Sequence, residues 1–197
     1  MYRSITTTLA VAAFAGSALA DFETDFGVGR TMDGNLIVEF NFDNIEEIQE
    51  SPDLMAFDGF FSDEPGFAGF DFDEPDEGIF ALEAGAQIQF ELVSADAGFR
   101  VYDPTFSTVL NPGDTFNFDA VTSTSTFDDH PWWTIERSDP GFDESIFSYD
   151  VTFRLLDVGS TGYGATDNIT VTFTRVPTPA SAAVLGLAGL AATRRRR

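Results

Sequence analysis

Apolar and polar residues alternate with a period of two along much of this chain, the spacing of a strand with one wet face and one buried face. In NLIVEFNF, Leu36, Val38, Phe40 and Phe42 fall on one side, and Ile37, Glu39 and Asn41 on the other. The Asp33-Gly34 pair just before it predicts a tight hairpin turn from a first strand within residues 21–31. AQIQFELV sets Ile88, Phe90 and Leu92 against Gln87, Gln89 and Glu91, and FRVY runs into an Asp103-Pro104 turn. A Pro-Gly turn then opens a strand carrying Phe116 and Phe118. The longest pattern, SIFSYDVTFRLLDV, lines up Phe147, Tyr149, Val151, Phe153 and Leu155 against Ser148, Asp150, Thr152 and Arg154. After the turn-rich loop GSTGYGATDN, the stretch ITVTFTR points Ile169, Val171 and Phe173 inward.

Seven or eight such strands predict an all-β domain, an antiparallel β-sandwich or jelly-roll-like fold. The helix signal is confined to NIEEIQESPDLMAF, as a short helix broken near Pro52. Residues 46–78 lose any steady period and mix glycine, proline, phenylalanine and carboxylates. From Glu39 to Glu77 there are 14 acidic residues and no basic one. This segment reads as a long acidic surface loop pinned by its aromatics, longer than a compact sandwich usually tolerates.

Composition sharpens the picture. The chain has 197 residues, enough for one ordinary domain, and a formal net charge of −23. All 33 carboxylates lie within residues 21–167, and only five arginines, Arg30, Arg100, Arg137, Arg154 and Arg175, share the body with them. A field of that sign repels phosphate backbones, so nucleic acid is excluded as a partner. The 22 phenylalanines supply the core that separates this chain from disordered acidic sequences. The absence of cysteine excludes disulfides, thiolate catalysis and cysteine-ligated metals.

The two ends read as addresses. MYRSITTTLAVAAFAGSALADF has one basic residue at Arg3, an apolar stretch over 9–15 and a small-residue site at Ala18-Leu19-Ala20, the grammar of a secretory signal peptide. At the other end, the Pro-Thr-Pro of residues 177–179 precedes an apolar run that reaches Thr193. Arg194, Arg195, Arg196 and Arg197 follow it. As a helix, that run measures roughly 22 Å against about 30 Å of hydrocarbon, a short transmembrane helix with its arginines on the cytoplasmic side. The expected division is a signal peptide at 1–20, an acidic domain at 21–175 and a tail at 176–197.

The tail resembles the PEP-CTERM sorting signal of bacterial envelope proteins handled by exosortase. Pro177 and Pro179 match its two prolines, residues 185–190 its membrane segment, and the four terminal arginines its basic end. Thr178 stands where that family usually has glutamate. The resemblance implies processing by signal peptidase and by an exosortase-like membrane protease, with delivery to the cell surface, outer envelope or extracellular matrix. The body is similar to a group of uncharacterised planctomycete-type secreted proteins, through Asp63-Glu64-Pro65-Gly66-Phe67 and a late pair of strands within residues 145–173. Those proteins often carry histidines where this chain has Phe40, Phe42 and Asn44.

Three stretches are candidates for chemistry. In DFDEPDEG, Asp71, Asp73, Glu74, Asp76 and Glu77 offer the crowded oxygens that calcium prefers. Asp63 and Glu64 could converge on them, although a plain solvated acidic run has the same composition. Pro75 and Asp76 break the EF-hand pattern at its fifth and sixth places. Trp132 and Trp133 are candidates for stacking on sugar rings, and strand alternation lets only one of them face outward. His130, the single histidine, follows two aspartates, but no serine or threonine nucleophile motif accompanies it. It reads as a loop histidine packed against aromatics. Together these features predict a non-enzymatic structural or adhesive surface protein whose partner is a matrix polysaccharide or another surface protein. No cofactor is expected unless calcium bridges the acidic loop. The alternatives are a carbohydrate-binding module and a small extracellular hydrolase.

Overall fold

The computed structural model describes residues 25–42, 46–50 and 58–176. Along the chain the strands are β1 (Phe26–Arg30), β2 (Leu36–Glu39), β3 (Glu46–Glu50), β4 (Gly59–Ser62), β5 (Phe67–Gly69), β6 (Ile88–Ala95) and β7 (Phe99–Tyr102). They continue as β8 (Val109–Leu110), β9 (Thr115–Asn117), β10 (Asp128–Asp129), β11 (Trp132–Glu136), β12 (Ser148–Asp157) and β13 (Ile169–Val176). The domain is all-β. Four strands form a small sheet in the order β10-β5-β1-β2, and nine form a large one in the order β8-β7-β11-β4-β3-β13-β12-β6-β9.

Both sheets are mixed. Most neighbours are antiparallel, but β1 runs parallel to β5 and β13 parallel to β3. The expected β1–β2 hairpin forms, with Val28 opposite Val38 and Gly34 at φ +79°, where a side chain would be strained. In β12, Tyr149, Val151, Phe153 and Leu155 are buried on one face, as its alternation requires. Arg154 and Glu91 sit opposite each other across β12 and β6 and join at 2.8–3.0 Å on the outer face.

The two sheets meet through aromatic rings. Phe67 of β5 lies 4.7 Å from Phe26 of β1 and 5.3 Å from Phe153 of β12. It also lies 5.7 Å from Phe90 of β6 and 5.1 Å from Phe118. Trp133 of β11 closes this group and spends its indole N–H on the carbonyl of Pro65 at 3.0 Å. These rings are fully buried, and such pairs add about 0.5–1.5 kcal/mol each beyond the area they bury.

Four sequence-based expectations need correction. The helix expected around residues 44–57 is replaced, where described, by β3: Ile48 is completely buried and β3 is paired on both sides, so tertiary pairing overrides helix-like composition. The segment 46–78 is not one surface loop, because it contributes β3, β4 and β5 and buries Phe60, Phe67 and Phe70. Phe147 points outward and is half exposed, since β12 starts one residue after it; its ring instead lies beside the Arg175 guanidinium. The transmembrane helix is withdrawn. Among the described residues there is no helix, and none long and apolar enough to cross a membrane. The signal-peptide stretch and the tail, with Pro177, Pro179 and the terminal arginines, lie outside the described residues.

Truncating Phe67 to alanine leaves a void between both sheets, and the expected cost is about 3–5 kcal/mol in denaturant unfolding. Phe72→Ala, at a partly exposed ring, is expected to cost about 1 kcal/mol or less. Equal effects of the two would contradict this packing.

Candidate functional site

The best-built group of titratable side chains comes from three separate stretches that the small sheet aligns. Its parallel register places Phe26 beside Phe67, and the antiparallel one places Asp129 beside Phe67. The residues flanking these positions therefore meet at one end of the sheet: Asp25 before β1, Glu64 before β5, and Asp128 and His130 around β10.

The Asp63-Glu64-Pro65-Gly66-Phe67 turn, with a cis Glu64–Pro65 bond, is held through its main-chain groups by Asp25, Phe26 and His130. The Gly66 N–H donates to Asp25 Oδ1 at 2.8 Å and to Glu64 Oε2 at 3.2 Å, while the Gly66 carbonyl accepts from Phe26 N–H at 2.9 Å. The His130 Nδ1–H donates to the Asp63 carbonyl at 3.0 Å, and Nε2 lies 3.1 Å from Asp128 Oδ1. Only glycine fits at 66, because a Cβ there would stand 2.5 Å from the imidazole ring.

Electrostatics follow from this crowding. Burial raises the pKa of Glu64 first, and a hydrogen bond with the Asp25 carboxyl and its charge raise it further, to about 7; His130 and the Gly66 N–H oppose them. Burial disfavours the charged imidazole, but the Asp63 carbonyl, the charges of Glu64 and Asp25 and a hydrogen bond with Asp128 outweigh it and raise the pKa of His130. With both ring nitrogens facing oxygen acceptors, the imidazolium satisfies both. The arrangement can hold and exchange protons near neutral pH. Donor atoms of Asp25, Asp128 and His130 lie within 4.8 Å of one another, close enough for a cation to bridge them.

The sequence-based candidates are placed differently. Among Asp71, Asp73, Glu74, Asp76 and Glu77, only Glu74 and Glu77 come together, and their third partner is Glu39 of β2. Burial and the charges of Glu77 and Glu74 raise the pKa of Glu39. Asp73 caps the Ala81 N–H at 2.9 Å, and Asp71 and Asp76 are exposed. Asp63 contributes its backbone to His130, and Glu64 joins the histidine cluster instead of the acidic turn. Trp132 and Trp133 divide as alternation demands. Trp133 is core, and Trp132 is part-buried between Phe61 and Phe106 with its N–H on the Pro104 carbonyl at 3.3 Å. Phe40 and Phe42 pack against Phe26.

The Asp25 and Asp128 roles were not foreseen. The FDDH and DEPGF stretches are visible in the sequence, but they meet through the antiparallel β10–β5 pairing and Asp25 joins them through the parallel β1–β5 pairing, for neither of which the residues carry a local signal. Comparison with protein-family models, with curated proteins and with solved structures gave no match.

The raised pKa values of Glu64 and His130 have one consequence for stability. The folded chain holds these protons more tightly than the unfolded chain, so their contribution is full below the unfolded values, near 4.5 for Glu64. It is lost as pH rises through the folded values, about 7 for Glu64. Glu64→Gln keeps a permanent donor toward Asp25. Denaturation midpoints measured from pH 5 to pH 8 are expected to fall less with pH in this variant than in the parent. Parallel curves would refute the shared-proton arrangement.

Proposed function

We propose that this chain is an exported, non-enzymatic protein of the cell surface or extracellular matrix, with a structural or adhesive role. The observation that carries the reading is the combination of a signal-peptide-like start and a Pro-x-Pro, apolar and arginine-ended tail on either side of one acidic all-β body. Signal peptidase would process the first end and an exosortase-like membrane protease the second.

The body suits that destination. We read its two packed sheets as a sandwich whose inner faces are aromatic and whose outer faces carry the carboxylates. A shell of that charge stays hydrated and repels anionic polymers, while salt screens its self-repulsion over about 8–10 Å at physiological strength. Its partner would be a matrix polysaccharide or another surface protein. The carbohydrate-binding reading is favoured by one specific observation, a hydroxyl-lined cleft between the sheets' loops. For a hydrolase, the Asp128–His130 pair would offer proton transfer.

An epitope tag placed after Asp21, fractionation of the native host and the intact mass of the mature protein test the reading. The expected product lacks residues 1–20 and the four terminal arginines, and is found in the envelope or medium. A cytoplasmic product of full mass would overturn it.

A further inference from the structure

Away from the histidine cluster, the chain leaving β5 and the loop approaching β10 border an open cleft of about 590 Å³. The loop of residues 121–127 is tied down at both ends. Val121 N–H donates to the Ala86 carbonyl and Gly85 N–H to the Val121 carbonyl, while Gly69 N–H reaches the Phe127 carbonyl, each at 3.0 Å. Between these ties the sequence is Thr-Ser-Thr-Ser-Thr, five hydroxyl side chains in a row, all of which line the cleft.

The loop shapes itself with part of that hydroxyl set. Thr122 N–H donates to the Ser125 carbonyl at 2.9 Å, and the Thr122 hydroxyl accepts from Ser125 N–H at 3.1 Å and lies 2.8 Å from the Ser125 hydroxyl. Ser123 is exposed among the lining hydroxyl residues, while Thr126 Oγ1 is packed against Gly69 and has no hydrogen-bond partner among the described residues. The exposed Asp71 also lines the cleft, and Phe70, Leu82 and Val121, themselves nearly buried, contribute its apolar surface.

The chemistry of this lining selects a ligand class. No arginine lines the cleft, and the surrounding charge is strongly negative, so phosphates, sulfates and uronates are rejected. A single carboxylate is too little for a multivalent cation, which needs six to eight oxygens. A purely apolar ligand would strand the hydroxyls. Neutral sugars present what the site complements: hydroxyls for the loop and for Asp71, and a C–H face for the apolar surface. The volume lies within the range of small-molecule sites. We propose that this cleft is a binding site for neutral mono- or disaccharides, with the 122–126 loop and Asp71 as its recognition elements. The site stands on its own geometry and does not depend on how the protein is exported.

The test is a titration of the isotopically labelled full-length protein, followed through its backbone amide resonances. Glucose, galactose, mannose, xylobiose, cellobiose and maltose are the probes, each up to about 50 mM, well above a Kd on the order of 1 mM. Digalacturonate is the anionic control. At least one neutral sugar is expected to give saturable shifts at Asp71 and residues 122–126, and digalacturonate none. Ser123→Trp fills the mouth and is expected to abolish the shifts. Asp71→Asn, an exposed and near-isosteric change, is expected to weaken them about tenfold. The proposal is overturned if no sugar moves these amides, if the shifts centre on Trp132, if digalacturonate binds equally well, or if the Asp71→Asn variant binds as tightly as the parent.

Discussion

Everything else in this domain depends on the ring of Phe67. It sits on the middle of the small sheet and touches rings from both sheets at once, Phe26 on its own side and Phe90, Phe153 and Trp133 on the other. A four-stranded sheet with one strand of three residues and another of two would not hold by itself. Docked through Phe67, it joins its rings to those of the large sheet in a single aromatic core. The pairing of β1, β5 and β10 around Phe67 brings Asp25, Glu64, Asp128 and His130 together, so the titratable cluster is a consequence of the small sheet's register and not an independent feature.

Charge is the opposing constraint, and the five arginines of the body are spent accordingly. Arg30 pairs with Glu83 at 2.9 Å, Arg100 with Asp139, Arg137 with Glu50 and Asp58, and Arg154 with Glu91. Each joins parts of the chain far apart in sequence. Glu83 and Asp58 are open to solvent, where such a pair stabilises by at most about 1 kcal/mol, whereas Asp139, Glu50 and Glu91 are largely buried and their arginines offset the cost of burying those charges. Arg175 differs. It is buried beneath the rings of Phe60, Phe142 and Phe147 and donates to the Glu144 carbonyl, anchoring the end of β13 just before the tail. Loop carboxylates are used in the same economical way: burial opposes the charge of Asp157, yet hydrogen bonds from Thr161, Gln87, Gly159 and Tyr163 hold its pKa below the ordinary value and fasten the glycine-rich loop.

What could be read beforehand was what alternation encodes. The strands β6, β12 and β13 announce themselves because each has one buried and one wet face over eight or more residues. The Asp33-Gly34 hairpin and the division of Trp132 from Trp133 follow from equally local rules. Residues 46–78 were misread because β3, β4 and β5 are at most five residues long, too short for a period to show among so many carboxylates and glycines. The parallel pairings β1–β5 and β3–β13 join stretches about 40 and 125 residues apart, and nothing local specifies them. The candidate sites inherit that limit. The acidic run proved mostly dispersed: only Glu74 and Glu77 meet within it, and their third partner, Glu39, comes from β2.

The account stands or falls on the two sheets forming one cooperative core around Phe67, and native-state hydrogen exchange measures this directly. The amides of Phe26, Gly69 and Phe70, which tie β1 and β5 to their neighbours, are expected to exchange only with global unfolding, at the same free energy as the slowest amides of β6 and β12. If the small sheet exchanges through a separate opening several kcal/mol below the large one, Phe67 does not unite the sheets, and the domain is a nine-stranded sheet with a loosely attached cover.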